Sequence, residues 1–157
     1  ITPVCGNQPL ERTVRNALQV CELGQRTDVP VYAGCFRPML RDPIHGQFHG
    51  KTGLGNTVLP DPVKTVEAKS AVDFLIDTLT AAAASQKRVT ICCLGPMTNL
   101  AVALRMNPQI AEGVERIVMM GGAYRESGNR TMTIPPGLSR ARACRKTATG
   151  SARCSST

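Results

Sequence analysis

RVTICCLGPMTNLAVALRMNPQIAEGVERIVMMGG, residues 88–122, decides the fold. It opens on a short apolar run, Arg88 to Leu94, which Gly95-Pro96 breaks. A continuous run of that kind reads as a strand covered by helices on both faces. Thr98 or Asn99 can cap the helix that follows, through Ala101, Val102 and Leu104 to Met106. Asn107-Pro108 interrupts it, with a further turn or two around Gln109 to Glu112. Glu115 to Met120, ERIVMM, is the next apolar strand, and Gly121-Gly122 ends it. Strand, helix and strand in so short a stretch call for a parallel pairing with a right-handed crossover.

The alternation continues toward the N-terminus. Ile1 to Cys5 reads as a buried strand that delivers Asn7 at its carboxyl end. Pro9 opens a helix with Leu10, Val14, Ala17, Leu18 and Cys21 on one face, Glu11, Arg12 and Arg15 facing away, and an end near Gly24. Val29 to Ala33 gives another short strand, closed by Gly34. A second amphipathic helix is expected from about Thr65 to Ala84, with Ala71, Val72, Leu75, Ile76 and Leu79 on its stripe. The class is therefore α/β, a mainly parallel, Rossmann-like sheet with flanking helices. Between these elements, Cys35 to Pro62 is rich in Gly and Pro and holds both histidines, His45 and His49. A loop of that length inside a compact domain is usually functional or mobile. Ligands in such sheets collect beyond the carboxyl ends of the strands. That rule selects Gly6 to Gln8, the histidine loop, Leu94 to Pro96 and Met120 to Tyr124.

Composition narrows the classes. The 157 residues suffice for one domain, and no run of about 18 apolar residues exists to span a bilayer. The net charge of +8 is uneven: residues 1–133 hold 14 basic and 11 acidic side chains, whereas residues 134–157 hold five basic ones and no acid. With 3% aromatic residues and no Trp, stacking platforms for nucleic acid are scarce, and nucleic acid is not the expected partner. Residues 134–157 carry almost no large apolar side chain and read as a basic, disordered tail following a domain at 1–133. The seven cysteines include no CxxC pair, and Cys92 and Cys93 point to opposite faces of their strand, so reduced, buried thiols are expected rather than a metal site. No secretory leader is visible in ITPVCGNQ, which makes a reducing cytoplasm the default.

General catalytic signatures are missing: there is no P-loop, no GxGxxG after a strand, no GxSxG elbow and no HExxH helix. Asp73 and Asp77 lie one helical turn apart on a solvated face rather than in a paired-carboxylate site. By residue chemistry alone the chain is an α/β domain with a polar pocket.

Five blocks add a family. GNQPLERTVRNAL (6–18), DVPVYAG (28–34), HGKTGLG (49–55), VTICCLGPMTNLAVAL (89–104) and RIVMMGGAY (116–124), with Gly128-Asn129 beyond, stand in colinear order. Their order and spacing resemble the inosine-uridine preferring nucleoside hydrolase family from Ile1 to about Thr133. The resemblance implies calcium-dependent hydrolysis of the N-glycosidic bond of ribonucleosides to ribose and free base, in homodimers or homotetramers. It implies that Asn7 lies near the ribose and calcium, and that Leu94 offers its backbone carbonyl to calcium. It further implies that Met120 lines the ribose pocket, that Asn129 bonds ribose hydroxyls and that His49 is a pocket histidine.

Two departures from the family pattern set further expectations. The DxDPGxDD cluster that supplies the general base and calcium carboxylates has no counterpart here, and TMTIPPGLSRARACRKTATG (131–150) stands where an AEFN segment belongs. The chain is thus expected to be a partial domain with a frameshift-like end, without its own catalytic base, with exposed apolar faces, and inactive alone. The competing reading is a non-catalytic α/β protein that binds ribose or nucleic acid.

Overall fold

A computed structural model describes residues 1–46, 48–55 and 57–121. In chain order it contains α1 (Leu10–Leu23), α2 (Ala71–Ala84), β1 (Val89–Cys93), α3 (Thr98–Met106), a 3₁₀ segment (Pro108–Gly113) and β2 (Val114–Met119). β1 and β2 pair in parallel, with Thr90 opposite Arg116 and Cys93 opposite Met119. The α/β class with a parallel sheet and flanking helices follows the sequence pattern. The 133/134 boundary and the basic tail lie outside the described residues.

Two apolar clusters hold these elements. Leu75 and Leu79 of α2 meet Leu100 and Ala103 of α3 and Ile110 of the 3₁₀ segment, and Val89, Ile91 and Cys93 pack on them from one face of β1. Leu18 and Cys21 of α1 meet Val31, with Val14, Ala17 and Val29 around them. Both helical stripes are those the 3.6-residue period selects. The expectation that β1 is covered on both faces is not met: Thr90 and Cys92 are exposed, and on β2 Ile117, Val118 and Met119 are exposed as well.

Two expected strands take a different form. Ile1 to Cys5 and Val29 to Ala33 run side by side in the same direction, joined by Tyr32 N–H donating to Ile1 O (2.9 Å) and Cys5 N–H donating to Cys35 O (3.0 Å). They do not form a regular ladder, because Pro3 has no N–H to give. The buried amide of Asn99 occupies the gap. Its Nδ2 donates to Thr2 O (3.0 Å) and Pro3 O (3.2 Å), and its Oδ1 accepts from Cys35 N (2.8 Å). A Cβ at position 34 would fall onto this amide and onto the Pro3 carbonyl, so only glycine fits there. Asn99 is thus not the cap of α3. The capping position belongs to Met97, which makes no side-chain cap bond.

The helix expected from Thr65 begins at Ala71. Ser70 caps it, accepting from Asp73 N (3.1 Å), and the residues before it bond to the Val31 segment instead of continuing the helix. There Glu67 N donates to Val31 O (2.9 Å) and Ala71 N to Ala33 O (2.8 Å). Backbone pairing with a buried neighbour outweighs helical propensity in this stretch. Tyr32 and Phe74, stacked with ring centroids 4.0 Å apart, tie the same segment to α2.

Leu79 is 1% exposed, so Leu79→Ala is expected to cost about 2–5 kcal/mol in a urea titration. Asn99→Ala leaves buried backbone groups without partners and is expected to cost about 1–3 kcal/mol, against about 0.5 kcal/mol or less for Val118→Ala on the exposed strand.

Candidate functional site

The site is built at the carboxyl ends of β1 and of the Ile1–Cys5 segment. After Cys5 the chain turns sharply, with Gly6 N donating to Gln8 O (3.0 Å), and Asn7 projects from the turn. The Leu94–Pro96 turn lies against it: a Cβ at Gly6 would stand 2.9 Å from Pro96 Cδ. Met120 N donates to Cys93 O (2.9 Å), which brings Met120 beside Leu94 at the same strand ends. Both side chains are exposed, Leu94 at 71% and Met120 at 66%.

The histidine loop closes over this end. Gly46 N donates to Asn7 O (2.9 Å), and His45 Nδ1 lies 3.1 Å from Gly6 O. The Asn7 amide reaches His49, Nδ2 to Nε2, at 3.0 Å across 42 residues of chain. With Asn7 Nδ2 as the donor, His49 Nε2 accepts and the ring proton is on Nδ1. Asn7, His49, Leu94 and Met120 therefore share one end of the fold, as the strand-end rule expects. Asn129 lies outside the described residues. His45 was legible only as a member of the loop; its bond to Gly6 is a product of the fold.

The loop is tied down by Gln8 and by the polar side chains of α1. Gln8 Nε2 donates to Gly50 O (3.5 Å), Arg12 to Lys51 O, Asn16 Nδ2 to Thr52 O (2.9 Å), and Gln19 Nε2 to Leu59 O (3.1 Å) and Pro60 O (2.6 Å). Arg15 adds an ion pair with Asp61. The signal for the helical part of this stripe was present in the spacing of 12 and 16, since residues four apart share a helix face, and Gln8 lies just before the helix. An open cleft near the other end of α1, lined by Glu22, Thr27, Val63, Lys64, Thr65 and Glu67, gathers no nucleophile beside Asn7 or His49.

Metal-binding and nucleophilic chemistry is sparse among the described residues. No group of three or more His, Cys, Asp or Glu side chains converges there. The thiols flanking the site are poor nucleophiles: burial raises the Cys5, Cys35 and Cys93 pKa values above the ordinary thiol range, with Glu11 adding to the rise at Cys5 and Cys92 at Cys93. Cys92 differs from the expectation of buried thiols, because its position on the uncovered face of β1 exposes it.

Comparison with known proteins fits this geometry. The sequence model of the family described as inosine-uridine preferring nucleoside hydrolase matches residues 1–134. The chain belongs to that family. It is 46% identical over 132 residues to an uncharacterized protein of Schizosaccharomyces pombe, covering 83% of this chain and 42% of that protein. It is 43% identical over 132 residues to the pyrimidine-specific ribonucleoside hydrolase RihB of Escherichia coli, covering 83% of this chain and 41% of the enzyme. Among solved structures, the purine-preferring ribonucleoside hydrolase of Gardnerella vaginalis superposes with a TM-score of 0.73 at 36% identity, over 82% of this chain and 42% of that one. The chain thus spans about two fifths of the length of these relatives.

A thiol reagent applied to the folded chain near neutral pH is expected to label Cys92 well before Cys5, Cys35 and Cys93, which react once urea opens the fold. Peptide mass spectrometry of the labelled protein reads the order.

Proposed function

We propose that this chain carries the ribose-binding part of a ribonucleoside hydrolase site. The observation that carries the reading is the meeting of Asn7 and His49 at 3.0 Å beside the Leu94–Pro96 turn, in a chain of this family. Ribose presents vicinal hydroxyls, each a donor and an acceptor. The remaining polar groups of the pair, Asn7 Oδ1, the second Asn7 Nδ2–H and His49 Nδ1–H, supply one acceptor and two donors for them. Met120 offers an apolar surface for the sugar's carbon face.

Cleavage of an N-glycosidic bond passes through an oxocarbenium-like transition state and needs an activated water together with stabilisation of the positive sugar. Asn7 and His49 orient the sugar for that step. Calcium takes about six to eight oxygen ligands. The Leu94 carbonyl offers one, and the described residues bring no carboxylate cluster beside it, so these residues do not make a calcium site and no step is assigned to a metal on them. Among the described residues no carboxylate stands beside Asn7 and His49 to activate a water. Assembly into a homodimer or homotetramer and residence in a reducing cytoplasm belong to the same reading.

The second reading, a ribose-binding protein without catalysis, rests on that same donor set. Two measurements on a polypeptide of these 157 residues test the pocket that both readings share, and base release would favour the first. Inosine or uridine is expected to shift the NMR signals of Asn7 and His49, and Asn7→Ala is expected to weaken binding about five- to tenfold, the worth of one hydrogen bond of about 1–1.5 kcal/mol. No calcium-dependent release of hypoxanthine or uracil is expected from this polypeptide alone. Release of base on adding calcium would show that it assembles a metal site after all, and nucleoside binding that ignores Asn7→Ala would remove the proposed pocket.

A further inference from the structure

We propose that Asn16 is a positioning residue for His49, acting through the turn at His49–Gly55. The turn is closed by Gly55 N donating to His49 O (2.9 Å), and the Thr52 hydroxyl braces its interior, accepting from Leu54 N (3.3 Å). Gly50, Gly53 and Gly55 all have positive φ, between 65° and 79°, so the backbone follows a path that side-chain-bearing residues rarely adopt. Such a turn fixes its own shape and not its place on the protein. The place is set from outside: Asn16, on α1, donates to Thr52 O at 2.9 Å from a half-buried position. A Cβ at Gly53 would stand 3.0 Å from Asn16 Nδ2 and 2.8 Å from Gln8 Cγ, so the turn is seated directly on these two side chains. Three residues before the anchored carbonyl, the His49 ring meets Asn7.

Asn16 is more than one strap among several. Arg12 and Arg15 bond the loop from exposed positions, where such contacts contribute little. Gln19 holds residues 59 and 60, which lie beyond the turn. Asn16 alone grips the middle of the turn through a partly buried, directional bond. Through this contact α1, which also reaches the Ile1–Cys5 segment by the Thr13 hydroxyl donating to Val4 O (3.2 Å), fixes which ring nitrogen His49 turns toward Asn7.

The inference rests on the Asn7–His49 pair being a binding element, yet its test needs no turnover. In the full chain with ¹⁵N-labelled histidine and asparagine, a single His49 tautomer with the proton on Nδ1 is expected, together with a distinct Asn7 side-chain amide signal. Asn16→Asp keeps the shape and removes the donor. Gly53→Ala pushes the turn away from the opposite side. Both are expected to give mixed His49 tautomers and to move the Asn7 amide toward its position in His49→Ala, while the methyl signals of Leu18 and Val31, in the core beneath α1, stay in place. A purely structural role would move those core methyls along with the histidine. The proposal is overturned if His49 and Asn7 keep their native signals in Asn16→Asp, or if the tautomer changes only when the core methyls do. Nucleoside that fails to shift signals of the native protein would defeat the pocket and leave this positioning role standing.

Discussion

One buried amide holds the N-terminal part of this fold in register. Asn99, at the start of α3, joins residues 2–3 and residue 35, each 64 or more residues away from it in sequence. The need for it originates in Pro3, which denies the extended segments a backbone rung, and its fit depends on Gly34, which leaves room for it. Because Asn7 lies four residues after Pro3, and Leu94 to Pro96 lies just before α3, the same contact sets the distance between two parts of the site. A side chain substitutes here for sheet hydrogen bonding, and the strand ends converge as a result.

The second constraint is the way α1 is used on both sides. Its apolar face closes on Val31, while its polar face reads the backbone of the long loop through side-chain donors. The loop carries few apolar anchors of its own: Phe36, Leu40 and Phe48 are exposed. Its conformation therefore derives from left-handed glycines within and amide donors beneath, rather than from a core. That is a suitable way to place a histidine, since a loop fixed by directional bonds can hold a ring to one partner without burying it.

Much of this was legible in residue patterns. The stripes of α1 and α2, the Gly and Pro stops, the parallel strands at 89–93 and 114–119 and the convergence of function at strand ends follow from period, punctuation and the geometry of α/β sheets. The strands expected at 1–5 and 29–33 failed as regular strands for a reason visible in the sequence, Pro3, whose cost depends on which partner lies opposite. The helix start after Ser70 rather than at Thr65 had a local signal, Ser70 with Asp73, but the non-helical path before it is held by the Val31 segment. Asn99 looked like a helix cap because asparagine before an apolar run usually is one; only the presence of two chain segments within reach of its amide assigned it elsewhere.

The class of fold, the family and the candidate residues Asn7, His49, Leu94 and Met120 are readable from residue order alone, because hydrophobic period and motif order are local and one-dimensional properties. The tertiary structure decided which of these meet. The 3.0 Å approach of Asn7 to His49, the seating of HGKTGLG on Asn16 and the exposure of Cys92 each depend on where distant backbone lies. No spacing along the chain encodes such contacts, since a hydrogen bond is decided by a few tenths of an ångström between groups that packing brings together.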